Sequence, residues 1–165
     1  DDMIQLAAAM DETIQNEMSI KAYIGIGGVK ENLFQLQESY GEATKAIEVG
    51  KIYNTSNRIY MYSFLLLERF LYEVPLNLCE RFSKILFAKE YKKVLSDEMI
   101  ATIEKFFENS LNLSETARQL FIHRNTLVYR LDKIQRIMGL DLRNFHDAVT
   151  FKIMMMLMDR YTWEA

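Results

Sequence analysis

Apolar residues recur three and four positions apart along most of the chain, the spacing that places them on one face of an α-helix. This pattern predicts helices over residues 3–17, 33–47, 64–73, 78–86, 97–107 and 145–161. Gly50 is expected to end the second helix. Val74-Pro75 is expected to end the third, because the residue before proline disfavours the α-helical conformation. Ser96 is expected to cap the helix that begins at residue 97.

Two short segments instead alternate apolar and other residues, at 20–26 and 59–62. A period of two predicts half-buried β-strands. The Gly27-Gly28 pair and the polar cluster at 54–57 follow as predicted turns. The resulting helix-strand-helix-strand segment is too small for a complete α/β domain, so we expect it to be part of one.

Residues 113–134, LSETARQLFIHRNTLVYRLDKI, predict two short helices joined by a three-residue turn. Ser114 is the expected N-cap of the first helix, and the small Ala117 allows a second helix to pack closely across it. Phe121, at the turn, occupies a position where many helix-turn-helix motifs have Gly, which adopts a positive φ freely. The second helix is expected to run from about residue 124 or 125 to 137. Its apolar stripe consists of Leu127, Leu131, Ile134 and Met138.

The opposite face of this second helix carries side chains that can donate to phosphates and base edges. They are Asn125, Thr126, Tyr129, Arg130 and Lys133, with Arg124 at the helix start. Residues 114–137 hold five basic and two acidic residues, whereas residues 1–60 hold nine acidic and five basic ones, in a chain of net charge −3. Such a local basic patch is typical of DNA binding. The alternative is an amphipathic hairpin whose basic face is merely solvated.

The same segment resembles the C-terminal helix-turn-helix of the PucR-type regulators, which include bacterial purine-catabolism and sugar-diacid regulators. The residues that match the family signature are Thr116, Ala117, Leu120, His123, Arg124, Asn125, Thr126, Leu127, Tyr129, Arg130, Leu131 and Lys133. The following GLDLRN at 139–144 is also similar, and residues 22–50 more loosely resemble the end of a GGDEF-like domain. The resemblance implies a sequence-specific DNA-binding transcriptional regulator of bacterial metabolic genes, with any effector sensed upstream of, or within, the N-terminal segment.

We therefore predict a partial GGDEF-like α/β segment over 1–62, a helical connector over 63–95 and a helix-turn-helix bundle over 96–165. General docking geometry assigns the start of the recognition helix to the bases. Base-edge candidates are thus Arg124, Asn125, Thr126, Tyr129 and Arg130, whereas Lys133, Arg118 and the hydroxyls of Ser114 and Thr116 are expected at phosphates. The resemblance makes His123 a turn or DNA-facing residue. The expected partners are double-stranded DNA and a second copy of the chain.

The amino-acid composition is that of a globular protein without disulfides or membrane spans. Half of the residues are apolar and 26% are charged, an ordinary globular balance. The single Cys79 rules out an internal disulfide and fits a reducing cytoplasm. No apolar run is long enough to span a membrane, and no signal-peptide pattern is present. Because the chain begins inside a predicted helix, we expect it to be a piece of a longer protein.

The sequence gives little support for phosphate binding, metal binding or catalysis. The GIGGVK turn at 25–30 lies between a strand and a helix, where phosphates can bind, but it lacks the spacing of known phosphate-binding loops. The two histidines, His123 and His146, lack zinc-ligand spacing. We therefore expect no enzyme activity, cofactor or metal. Two alternatives stay open: a nucleotide-binding or cyclase-derived remnant, and a helical interaction module without DNA binding.

The methionine run at 154–158 has two interpretations. Met fills irregular gaps in cores and also forms adaptable interfaces. The run, with the rest of 145–158, is one candidate dimer interface, and the helix at 33–47 is another.

Overall fold

A computed structural model of the chain describes residues 2–86 and 95–164. Within these ranges the chain forms eight α-helices and two short strands, so the mainly α prediction is confirmed. In chain order the elements are α1 (Asp2–Met18), β1 (Ile24–Ile26), α2 (Leu36–Tyr53), β2 (Ile59–Met61), α3 (Leu66–Tyr72), α4 (Leu76–Leu86), α5 (Asp97–Glu108), α6 (Leu113–Gln119), α7 (Arg124–Met138) and α8 (Phe145–Glu164). Turns of 3-10 helix precede α2 and α3, at Leu33–Gln35 and Tyr62–Phe64. The predicted break at Val74-Pro75 lies between α3 and α4.

The chain divides into two compact units. The first contains Asp1–Leu76 and Asp159–Ala165, and the second contains Asn77–Met158. The connector predicted over 63–95 includes residues outside the described ranges, so the predicted domain boundaries stay a prediction.

The first unit is built on two parallel strands, with Ile24 opposite Ile59 and Ile26 opposite Met61. Parallel strands need a crossover connection, and α2 supplies it and packs against both strands. The first strand is shorter than predicted, because regular pairing begins only at Ile24. Ala46, Tyr60 and Leu65 form a buried cluster of this unit, with Ile47 and Tyr62 packed against it.

The expectation that Gly50 ends α2 is wrong. The helix continues to Tyr53, and Gly50 is a buried position inside it. A Cβ at Gly50 would lie 2.2 Å from Cδ1 of Tyr60. The residue is therefore small because the Tyr60 ring packs against the helix there.

The second unit has its core between α5, α7 and α8. Its largest fully buried side chains are Leu95, Ile103, Phe106, Leu127, Leu131, Ile134, Leu142 and Phe151. The rings of Phe107 and Phe151 join α5 to α8, with centroids 6.3 Å apart. Three residues of the apolar stripe predicted for the second helix of the motif, Leu127, Leu131 and Ile134, thus face the core, whereas Met138 is only half-buried.

The methionine run on α8 is largely inside the chain. Met154, Met155, Met156 and Leu157 are all buried. Burial favours core packing, because a buried side chain is not available to a second copy.

Candidate nucleic-acid interface

The first helix of the motif is capped by Asn112, one residue before α6. Its Oδ1 accepts a hydrogen bond from the backbone N–H of Glu115 at 3.1 Å. The expectation that Ser114 is the N-cap is therefore wrong, and Ser114 lies exposed in the first turn. The Asn-x-x-Glu spacing was a usable signal for this cap.

Thr116 was expected to donate to a phosphate, but its side chain is buried. The residue is 0% exposed, and its hydroxyl donates to the carbonyl of Asn112 at 2.7 Å. The face of α6 that carries Thr116 and Ala117 is the face that packs inward. This corrects the assignment of Thr116 to the DNA-contacting set.

The turn between α6 and α7 is held by backbone hydrogen bonds. The N–H of Ile122 donates to the carbonyl of Ala117 at 3.0 Å, and that of Phe121 to the carbonyl of Arg118 at 3.2 Å. Phe121 has a φ of +54° and is 94% exposed. A bulky residue thus occupies the left-handed conformation that Gly adopts at less cost.

His123 is the N-cap of α7. Its Nδ1 accepts a hydrogen bond from the backbone N–H of Asn125 at 3.2 Å, which requires an unprotonated nitrogen. The side chain is nevertheless exposed. His123 therefore sets where α7 starts, a role that the sequence did not reveal.

The helix α7 runs from Arg124 to Met138, close to the range predicted for the recognition helix. Leu127, Leu131 and Ile134 are buried on one side. The exposed residues of α7 that were predicted to face DNA are Arg124, Asn125, Thr126, Tyr129 and Lys133. One face of the helix is thus a polar surface that carries basic side chains.

Arg130 lies on the border of that surface and turns away from it. Its Nη1 donates to Oγ1 of Thr102 at 3.1 Å, and its Nη2 forms an ion pair with Glu98, both on α5. Only 17% of the Arg130 side chain is exposed. This corrects the expectation of a base-edge contact, because the guanidinium is used to tie α7 to α5.

Arg118 is exposed on α6 and paired within its own helix. Its Nε donates to Glu115 at 2.9 Å, and a second nitrogen contacts the other carboxylate oxygen at 2.5 Å. These bonds, with one from Gln119, lower the pKa of Glu115 to about 2. A phosphate at Arg118 would therefore have to share the guanidinium with this carboxylate.

Arg143, between α7 and α8, was not identified as a functional residue from the sequence. Its Nη1 donates to Oδ1 of Asp132 at 2.8 Å, and its Nη2 to Oε1 of Gln135 at 3.0 Å, both on α7. It also donates from Nε to Asp141 at 2.7 Å, which lowers the pKa of that carboxyl. Gly139 ends α7 with a φ of +76° and so starts the turn that brings Arg143 back to the helix.

The glycine-rich turn after β1 is occupied by side chains of α2. The N–H of Gly28 donates to Glu42 at 2.6 Å, and Nζ of Lys30 lies 3.0 Å from the same carboxylate and 2.9 Å from Glu38. These contacts, that of Gly28 foremost, lower the pKa of Glu42. The amide and the lysine that a phosphate would use already bind carboxylates, which disfavours the nucleotide-binding alternative.

The glycines of this turn have a steric explanation. A Cβ at Gly25 would lie 2.1 Å from the carbonyl oxygen of Ala43, and one at Gly27 would lie 2.1 Å from that of Ser39. The pattern therefore reflects close packing of β1 against α2.

Among residues 2–86 and 95–164, no group of three or more His, Cys, Asp or Glu side chains is arranged to hold a metal ion. Of the helices in those ranges, none combines the length and the apolar character needed to cross a membrane.

Comparison with known proteins agrees with the geometry. Residues 99–157 match the PucR C-terminal helix-turn-helix domain. The proline-responsive transcriptional activator PutR of Bacillus subtilis is 33% identical over 144 residues, which cover 84% of this chain and 34% of that protein. The purine catabolism regulatory protein of the same organism is 26% identical over 121 residues, covering 73% of this chain and 23% of that protein.

The carbohydrate diacid regulator of Escherichia coli is 41% identical over 56 residues, covering 34% of this chain and 14% of that protein. The chain thus spans about a third or less of the length of these relatives. Residues 99–157 thus belong to the family of PucR C-terminal helix-turn-helix domains.

Proposed function

We propose that the chain binds double-stranded DNA in a sequence-specific way through α7 and regulates transcription of bacterial metabolic genes. The observation that carries this proposal is the two-sided character of α7. Its apolar side is buried in the domain, while Asn125, Tyr129 and Lys133 are exposed together on the other side. A helix of this kind fits the major groove of B-DNA.

The exposed side chains divide by their distance from the helix start. Arg124, Asn125, Thr126 and Tyr129 lie in the first two turns and are proposed at base edges. Ser114, Arg118 and Lys133 are proposed at phosphates, and His123 at the DNA backbone next to the helix start.

The relatives are named for proline, purine catabolism and carbohydrate diacids. We infer that the gene targets are metabolic and that any small-molecule effector acts upstream of, or within, the predicted GGDEF-like segment at 1–62. The protein is proposed to be cytoplasmic and not an enzyme.

We also propose that the chain acts as a homodimer, because a single helix-turn-helix contacts few base pairs and two copies read a palindromic site. Exposed apolar residues support an interface at the start of α2, among them Leu36 and Tyr40. They border a cleft of about 530 Å³ whose other walls are α1 and β1. The cleft lining is mostly apolar, which suits protein packing better than a polar metabolite.

The test of DNA binding is selection of bound duplexes from a random pool, followed by mobility-shift titration of the enriched sequence over a range of salt. We expect affinity to fall steeply with salt, because phosphate contacts release counterions. Lys133→Ala should weaken binding to all sequences and reduce the salt slope by about one. Lys21→Ala, an exposed lysine of the first unit, is the matched control and should leave the slope unchanged. A pool that shows no enrichment would refute the proposal.

A further inference from the structure

The exposed surface of α7 contains one acidic residue. Asp132 is the only Asp or Glu between Arg124 and Met138. It follows Asn125 by seven positions and Tyr129 by three, so it lies on the same side of the helix as both. Its side chain is 44% exposed. An unpaired carboxylate there would face phosphates and oppose binding.

The contacts of Arg143 remove that charge conflict. Its Nη1 binds the Asp132 carboxylate at 2.8 Å, and its Nη2 binds Gln135, one turn along the same helix. The guanidinium is itself oriented by Asp141, through Nε at 2.7 Å and Nη2 at 3.0 Å. Four hydrogen bonds thus hold the Arg143 guanidinium between α7 and Asp141.

Glu115, the acidic residue on α6, is also paired with an arginine. Glu115 is held by Arg118 through two nitrogen atoms. Each of the two carboxylates between residues 114 and 137 therefore has an arginine partner. The motif therefore presents a basic surface for two reasons: its carboxylates are paired with arginines, and cations such as Arg124 and Lys133 are exposed.

We propose that Arg143 is a charge-neutralising residue of the DNA-binding surface, which acts by holding the carboxylate of Asp132 rather than by contacting DNA. This inference rests on the proposed function. It assigns a role in binding to a residue outside both helices of the motif. It also predicts that the need for Arg143 disappears when Asp132 loses its charge.

The experiment is a double-mutant cycle on the enriched duplex, with Arg143→Ala, Asp132→Asn and the two combined. Arg143→Ala should bind about fivefold more weakly at low salt, the effect of one like-charge contact at roughly 4 Å in water. The deficit should shrink as salt rises, because exposed charges are screened. The double variant should bind like wild type, and Asp132→Asn alone should bind at least as tightly.

Two further variants separate electrostatics from folding. Arg143→Lys keeps a cation beside Asp132 and should retain most of the binding. Adding Asp141→Asn to Arg143→Ala should restore less than Asp132→Asn does, because Asp141 lies outside α7. If the double variant stays as weak as Arg143→Ala, then Arg143 contacts DNA or supports the fold, and the inference is overturned. Wild-type binding by Arg143→Ala would overturn it too, whereas a wild-type chain that binds no duplex refutes the proposed function itself.

Discussion

Single side chains decide which arginines of the motif are available to DNA. Four arginines lie in or beside α7, and two of them, Arg130 and Arg143, are committed to carboxylates and hydroxyls of the protein. A sequence pattern cannot distinguish Arg130 from Arg124 and Arg136, since all three are arginines of the same helix. The distinction depends on Glu98 and Thr102, which lie about thirty residues away on α5.

Replacing Arg130 tests that distinction. Arg130→Ala should lower the free energy of unfolding by about 1 kcal/mol, the usual worth of a hydrogen bond. Specific DNA binding should also weaken, because α7 is less firmly held. The salt slope should stay at the wild-type value, since no phosphate contact is lost, in contrast with Lys133→Ala. A slope reduced by about one in Arg130→Ala would instead indicate a direct phosphate contact.

The Glu115 carboxyl gives a second prediction at this scale. Its pKa of about 2 depends mainly on Arg118, so Arg118→Ala should raise it toward the ordinary value of 4.5. Because the folded pKa is lowered, the stability from this pair is present above the ordinary value and is lost as pH falls toward 2. Titration of the side-chain carboxyl by NMR in both proteins measures the shift. An unchanged pKa in the variant would show that Gln119 or the helix end is the main cause.

At the scale of elements, α7 joins a buried apolar side to an exposed polar side. Leu131 is 1% exposed, so Leu131→Ala should cost about 2–5 kcal/mol in the free energy of unfolding. Leu78→Ala in α4 is the matched control and should change little, because Leu78 is exposed. Chemical denaturation of the three proteins gives the comparison. A small effect at Leu131 would mean that the proposed DNA-facing side is also misplaced.

The sequence predicted the helices well and their caps less well. Periodicity located the buried stripe at Leu127, Leu131 and Ile134, because burial of apolar residues is what the period records. The preference of glycine for helix ends gave a wrong end for α2 at Gly50, where the absent side chain makes room for the Tyr60 ring. General docking geometry wrongly assigned Thr116 to a phosphate, because its buried hydroxyl donates to the carbonyl of the N-cap Asn112. Both errors concern contacts that depend on geometry rather than on residue type.

For the whole molecule, the proposed dimer predicts that charged substitutions at the start of α2 separate the two copies. Leu36→Glu and Tyr40→Glu place charges on exposed apolar positions of α2 and should shift the chain toward monomer in sedimentation. Phe145→Glu, an equally exposed position on α8, is the control and should leave the dimer intact. Met155→Glu is unsuitable because Met155 is buried. Dissociation by Phe145→Glu alone would move the interface to α8.

The parallel pairing of β1 with β2 has a consequence for folding kinetics. Ile24 pairs with Ile59, and the segment between them contains the whole of α2. The first unit must therefore close this long loop before its strands form any hydrogen bond. In the second unit, α5, α6 and α7 contact one another as successive elements. Rates fall as contacts become less local. Trp163, the single tryptophan, belongs to the first unit, so its fluorescence should recover after most of the helical circular dichroism has returned.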